Sequence, residues 1–258
     1  MNLIINGDDF GLSHGCNLAI IDSYTKGIMT SASLMVNMPD TEEAVRMWKK
    51  NSALSLGIHL NVTVGMPILE HLNTITQLNG AFNKRILIAD QSEINEEELK
   101  KECEAQINRF IQLTGKIPDH INSHHGIEAV PGGEKVLQDL AVKYKVPIRE
   151  LTHISKKEKI CYRTNYEIPH KCCLYPKIQN VDELILNFSK ESIESNRTYE
   201  LLGHPGYVDF GLLKKSSLTI GRCIDANLFN NEVIKLWVKQ NHIQLISYKE
   251  LPLSLIHI

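Results

Sequence analysis

Short apolar runs alternate with longer helix-patterned stretches from one end of this sequence to the other, and few folds accommodate that rhythm. Leu3-Ile4-Ile5 reads as a buried strand closed by the turn Asp8-Asp9-Phe10-Gly11. A helix over 16–26 follows, with Leu18, Ile20 and Ile21 inward and Gly27 as its stop. Next come a strand over 33–37, a helix begun by Asp40 or Thr41 and running through Trp48, and a strand over 54–61. Residues 65–92 hold no period and read as a long loop over one face. The helix over 94–113 is the clearest. Leu99, Cys103, Ile107 and Phe110 keep helical spacing, and Glu96, Glu97 and Glu98 suit the positive end of its dipole. The pattern continues with a strand over 119–122, a helix over 134–144, a strand over 146–149 and a helix over 181–190. A strand over 198–202, a helix over 226–240 and a strand over 243–247 complete it, with 150–180 unassigned.

Repeated strand-then-helix units favour a parallel sheet, and their number favours an α/β fold closed into an irregular (β/α) barrel of the TIM type. The alternative is an open doubly wound sheet. That fold usually carries a Gly-rich nucleotide loop after its first strand, which Gly7-Asp8-Asp9-Phe10-Gly11 is not. A length of 258 residues suits one barrel, and no repeat, low-complexity tract or linker divides it, so residues 1–258 read as one domain.

Net charge of −2 makes no electrostatic case for nucleic acid or for an anionic membrane surface. No apolar run approaches the roughly 20 residues needed to span a bilayer. The N-terminus lacks the basic start of a signal peptide, and the six cysteines are scattered without a CxxC pair. Both point to free thiols in a reducing cytoplasm.

Position then singles out a few polar residues. Asp8-Asp9 follows the first strand, His59 lies near the end of the third, His124-His125 follows the fourth, and His204 follows a late one. In a parallel barrel those strand ends open on one face, so residues far apart in sequence converge there. One carboxylate and two imidazoles on that face make a divalent-metal site with positions left for water and substrate. Each residue also has a plainer reading: Asp-Asp as a helix cap, His59 as a core histidine, His204 as a turn residue before Pro205. Strand alternation allows only one of His124 and His125 to join the ligands, leaving the other for a supporting or substrate-contacting place. His14 is an outside candidate near the Asp pair, and the remaining histidines read as surface or structural positions.

Five segments in order resemble the YdjC-like carbohydrate deacetylases, a family that includes chitooligosaccharide deacetylases. They are Asn6-Gly7-Asp8-Asp9-Phe10-Gly11-Leu12, Thr30-Ser31, Leu56-Gly57-Ile58-His59-Leu60-Asn61, Pro118-Asp119-His120-Ile121-Asn122-Ser123-His124-His125, and His204-Pro205-Gly206. The resemblance implies an irregular barrel of the glycoside hydrolase/deacetylase type that removes an N-acetyl group from an amino sugar. It implies a divalent ion, magnesium first and zinc as the alternative, and such barrels are commonly homodimers. By position it implies Asp9, His59 and His124 as metal ligands and Asp8 as catalytic base. His204 is then the candidate general acid, since imidazole titrates near neutral pH, with His125 in reserve. The chain departs from the family pattern at Gly7, where Ala is usual. It departs again at Asn122 and Gly126, where a carboxylate and a third imidazole are usual. Two other readings are another metal hydrolase on a similar barrel and a weakened sugar-binding or regulatory protein.

Overall fold

The first apolar run becomes the middle of the sheet. The structure, a computed structural model, describes residues 1–90, 93–149, 160–161, 166–167, 180–190, 198–251 and 256–257. Strands β1 (Asn2–Phe10), β2 (Ser31–Leu34), β3 (Ser55–Leu60) and β4 (Ile121–Ser123) alternate with helices α1 (His14–Thr25), α2 (Thr41–Lys50) and α3 (Glu96–Thr114). Helix α4 (Gly133–Tyr144) follows, then the short strands β5 (Ile160–Cys161) and β6 (Tyr166–Glu167) and helix α5 (Val181–Lys190). The last part holds β7 (Thr198–Gly203), helices α6 (Phe210–Lys215), α7 (Ile220–Asn230) and α8 (Glu232–Gln240), and strands β8 (Gln244–Leu245) and β9 (Ile256–His257).

The main sheet runs β4-β3-β2-β1-β7-β6, with β8 beside the start of β1 and every pairing parallel. It is an α/β half-barrel, the expected class. Beyond β4 the expected strand over 146–149 reduces to one parallel bridge, Ile121 with Ile148. β5 and β9 form a separate antiparallel pair. Because the strands of the main sheet are parallel, their carboxyl ends share one rim, and that rim receives Asp8, Asp9, His59, His124 and His204.

Side chains explain most of the elements. β1, β2 and β3 are buried nearly throughout, as strands covered on both faces must be. Along α3, Leu99, Cys103, Ile107 and Phe110 are fully buried. Asn95 accepts from the Glu98 amide at its start, and Gly115 ends it in the left-handed region at φ 77°. The same helix buries Glu102 and turns Glu98 to the loop expected over 65–92. Glu98 accepts from the amides of Asn73, Thr74 and Ile75, and Glu102 from those of Ile68 and Leu69. Two carboxylates one turn apart thus pin the loop that the sequence left without a period.

Three expectations change. Leu18 is exposed at 38%, because α1 turns Cys16, Asn17, Ala19 and Ile20 inward instead. The helix expected over 226–240 is two helices, broken where Asn231 adopts an extended conformation and caps Val233 with its side chain. Helix α6 stands where no helix was expected. Cys16 and Cys103 are buried free thiols, as expected, and Cys172 and Cys173 lie outside the described residues. Among the described residues no helix is long and apolar enough to cross a membrane.

Candidate active site

Two adjacent residues of a strand point to opposite faces, so Asp8 and Asp9 cannot both serve one site unless the strand breaks its alternation. It does. Gly7 pairs with Ala32 and Phe10 with Leu34, so Asp8 and Asp9 together oppose the single residue Ser33. This is a β-bulge, and Asp9 sits in the left-handed region at φ 69° to form it. Such a conformation is costly for a residue other than glycine and concentrates at functional sites. The expected turn is therefore the last part of β1 itself, bent so that both carboxylates reach the rim.

Asp9 is fully buried and stands between two imidazoles and a guanidinium. Its Oδ1 lies 3.2 Å from His59 Nε2 and 2.9 Å from His124 Nδ1. Neither contact is aligned as a hydrogen bond, so that oxygen is buried without a hydrogen-bond partner. Its Oδ2 accepts from Arg222 Nη2 at 2.6 Å. Burial would raise the Asp9 pKa, but His124 and Arg222 outweigh it and hold the carboxyl well below the usual range. Burial would likewise depress His59, yet Asp8 and Asp9 carry its pKa above the ordinary value. One ligand atom each from Asp9, His59 and His124 falls within 4.8 Å of the others. An unpartnered carboxylate oxygen facing two imidazole nitrogens is a donor set that fits a divalent ion.

Asp8 is held differently. Arg149 grips it with both terminal nitrogens, Nη1 to Oδ2 at 2.8 Å and Nη2 to Oδ1 at 2.9 Å, and Asn6 donates to Oδ1 at 2.7 Å. Burial opposes ionisation, but this bidentate pair overrides it, so the Asp8 pKa lies far below the ordinary carboxylate value. Arg149 also donates to the buried Glu200, Nε to Oε2 at 3.1 Å and Nη2 to Oε1 at 2.9 Å. Burial pushes the Glu200 pKa up in spite of Arg149. His204 Nε2 stands 4.0 Å from Asp8 Oδ2. Burial lowers the His204 pKa, its Nδ1 has no hydrogen-bond partner, and its backbone N–H donates to Asp225 at 2.7 Å. Three buried carboxylates, Asp8, Asp9 and Glu200, thus share two guanidiniums, Arg149 and Arg222.

The expected supporting positions are also here. His59 Nδ1 lies 2.7 Å from Asn122 Oδ1. His125 takes a positive φ of 60°, which turns it off the strand, and its Nδ1 meets Thr63 Oγ1 at 2.9 Å. Its ring centroid stays 3.9 Å from that of His124, and burial together with its neighbour lowers its pKa to about 4. His14 does not join. It is exposed and pairs with Glu43 at 2.8 Å.

Several members of the site escaped sequence reasoning. Arg222 lies 213 positions from Asp9 on a helix, and no local pattern announces such a pair. Glu200 is an inward residue of β7 that period-2 alternation alone does not distinguish. Arg149 had a usable signal, since it ends a short apolar run as the other site residues do. Ser33 and His120 lie beneath the carboxylates. Ser33 Oγ meets Asn6 Nδ2 at 2.9 Å and His120 Nε2 at 2.9 Å, and the His120 ring stacks on Tyr248 at 3.8 Å.

Comparison with known proteins places this geometry in a family. The model of the family described as YdjC-like protein matches residues 2–240. A carbohydrate deacetylase of Clostridium beijerinckii is 31% identical, over 97% of this chain and 100% of its own. Carbohydrate deacetylase 2 of Listeria innocua is 32% identical, over 98% and 99%. A crystal structure from Enterococcus faecalis, described as a cellobiose-phosphate cleavage protein, superposes with a TM-score of 0.83 at 25% identity, covering 96% of this chain and 97% of that one. A peptidoglycan N-acetylglucosamine deacetylase shares the fold at a TM-score of 0.51 and 12% identity, covering 95% and 85%. Matched along nearly its whole length, this chain belongs to the YdjC-like family.

Proposed function

We propose that this protein is a metal-dependent carbohydrate deacetylase that hydrolyses the N-acetyl group of an amino sugar or chitooligosaccharide, in the breakdown of oligosaccharides in the cytoplasm. One observation carries the proposal. Three buried ligand atoms of Asp9, His59 and His124 converge, while a second carboxylate, Asp8, and a further imidazole, His204, stand beside them 4.0 Å apart. The names of the relatives, carbohydrate deacetylase, point the same way.

Asp9, His59 and His124 would hold the ion, which we take as magnesium with zinc as the alternative. When bound it acidifies a water molecule and polarises the acetyl carbonyl. Asp8 takes the proton that the attacking water gives up. Arg149 keeps Asp8 ionised and fixes its orientation through two parallel bonds, so the base is ready without reorganisation. Because that grip also makes Asp8 a weak base, it works only on a strongly acidified water. His204 gives a proton to the departing amine. Its closeness to Asp8 Oδ2 puts proton acceptance and donation at one reacting centre. Arg222 occupies Asp9 Oδ2 and so presents only Oδ1 to the ion.

The test is acetate release from N-acetylglucosamine oligomers with magnesium, zinc or cobalt added in turn. Release that stops on chelation and returns with metal is the expected result. No acetate from any oligomer with any metal would sink the proposal.

A further inference from the structure

Arg149 and Glu200 come to the site from opposite sides of the sheet. Arg149 lies beyond β4, where its backbone N–H donates to the Ile121 carbonyl at 3.0 Å and its neighbour Ile148 makes a single bridge to Ile121. Glu200 lies on β7, on the other side of β1. Strands β4, β3, β2 and β1 stand between them in the sheet, so the two side chains meet only because the half-barrel curls and both enter its hollow.

The guanidinium divides its edges between two carboxylates. Nη1 and Nη2 face Asp8, as described above. On the other edge Nε donates to Glu200 Oε2 at 3.1 Å and approaches Oε1 at 3.3 Å, while Nη2 donates to Oε1 at 2.9 Å. Nη2 thus bonds to both carboxylates. A planar fork with both edges occupied has little freedom left to turn, whereas one held by Asp8 alone could swing on a long side chain and carry Asp8 with it.

Glu200 is well placed to be the fixed point. It is fully buried, and β7 pairs with β1 residue by residue from Asn2 with Thr198 to Gly7 with Gly203, with Glu200 opposite Ile4. Asp8 follows on that same β1. The strand pair that carries the base therefore also holds the far edge of the arginine that grips it. Pairing the Arg149 charge does not require Glu200, because Asp8 already does that, and a second buried carboxylate is costly. What Glu200 adds is the second edge.

We propose that Glu200 is a positioning residue that fixes the Nε edge of Arg149, so that the Nη edge holds Asp8 in one orientation toward the reacting centre. The role rests on reading Asp8 as the base of a deacetylase, and the test separates the two. A merely structural Glu200, closing the half-barrel, would change stability and leave the turnover of folded molecules alone.

Nitrogen-15 NMR of the arginine side chains reads how fast the Arg149 guanidinium turns about its Nε–Cζ bond, and it needs neither metal nor substrate. The wild type is expected to show slow turning with separate Nη signals, and Glu200→Gln faster turning. In acetate release, kcat is expected to fall about a hundredfold in Glu200→Ala, with KM and metal affinity unchanged. The loss should be smaller in Glu200→Gln, which keeps one acceptor oxygen. A wild-type Arg149 that turns as freely as exposed arginines would overturn the inference. So would an unchanged turning rate in Glu200→Gln, an unchanged kcat in folded Glu200→Ala, or a loss that comes with weakened metal binding. If Glu200→Ala does not fold, Glu200→Gln and the wild-type spectrum decide. A wild type that releases no acetate would overturn the proposed function instead, and the turning rate would still decide whether Glu200 holds Arg149.

Discussion

Asp8 and Asp9 are neighbours with opposite surroundings, and that contrast is the most informative detail at the scale of single residues. Asp8 has both oxygens in hydrogen bonds from Arg149, whereas Asp9 keeps one oxygen without a partner toward His59 and His124. The two should therefore fail differently. Asp8→Asn is expected to keep the metal and lose turnover by about 100- to 10,000-fold, the usual worth of a general base. Asp9→Asn is expected to weaken both metal binding and turnover. Metal titration beside acetate release checks this, and loss of metal in Asp8→Asn would contradict the division of labour. Much of this was legible beforehand, because Asp8, Asp9, His59, His124 and His204 all stand at or just past the ends of strands, and parallel strands end on one rim. Arg149, Glu200 and Arg222 were not recognised. Their roles come from ion pairs across 51, 141 and 213 positions, and chain-local patterns carry no information about such pairings.

At the scale of elements, the bulge in β1 and a gap in β3 do the positioning. A Cβ at Gly57 would stand 2.3 to 2.5 Å from three atoms of the His120 ring, so β3 needs glycine there for His120 to pass beneath the site. His120 cannot retreat, because Tyr248 stacks on its other side at 3.8 Å. Gly57→Ala is expected to destabilise the fold by about 1–3 kcal/mol through overpacking, read as a lower urea midpoint at unchanged slope. A midpoint equal to that of the wild type would show that His120 has room to move. Sequence patterning found the helices with strong periodicity, α3 and α5, nearly residue for residue. It merged α7 and α8 because both are amphipathic, and a single Asn231 breaks them by capping rather than by any change in hydrophobic pattern.

For the whole molecule, the buried charges tie folding to pH. Asp225 is the clearest case, since burial raises its pKa from 3.8 to about 7 although the His204 amide and Arg222 oppose it. The native protein therefore keeps a proton that the unfolded chain releases at lower pH. Stability from this group is fully present below 3.8 and is lost as pH rises toward about 7, with a slope of at most about 1.4 kcal/mol per pH unit. Asp225→Asn is expected to flatten that part of the profile while still accepting the His204 amide. Urea unfolding of both proteins across the acidic range checks it, and identical slopes would contradict the assignment.

The central claim is that one divalent ion is held by Asp9, His59 and His124. Calorimetric titration of the metal-free protein with magnesium, zinc and cobalt tests it most directly, with Asp9→Ala and His124→Ala run alongside. The account predicts one ion per chain in the wild type and none in either folded variant. A wild type that takes up no divalent ion, or variants that bind as the wild type does, would contradict it.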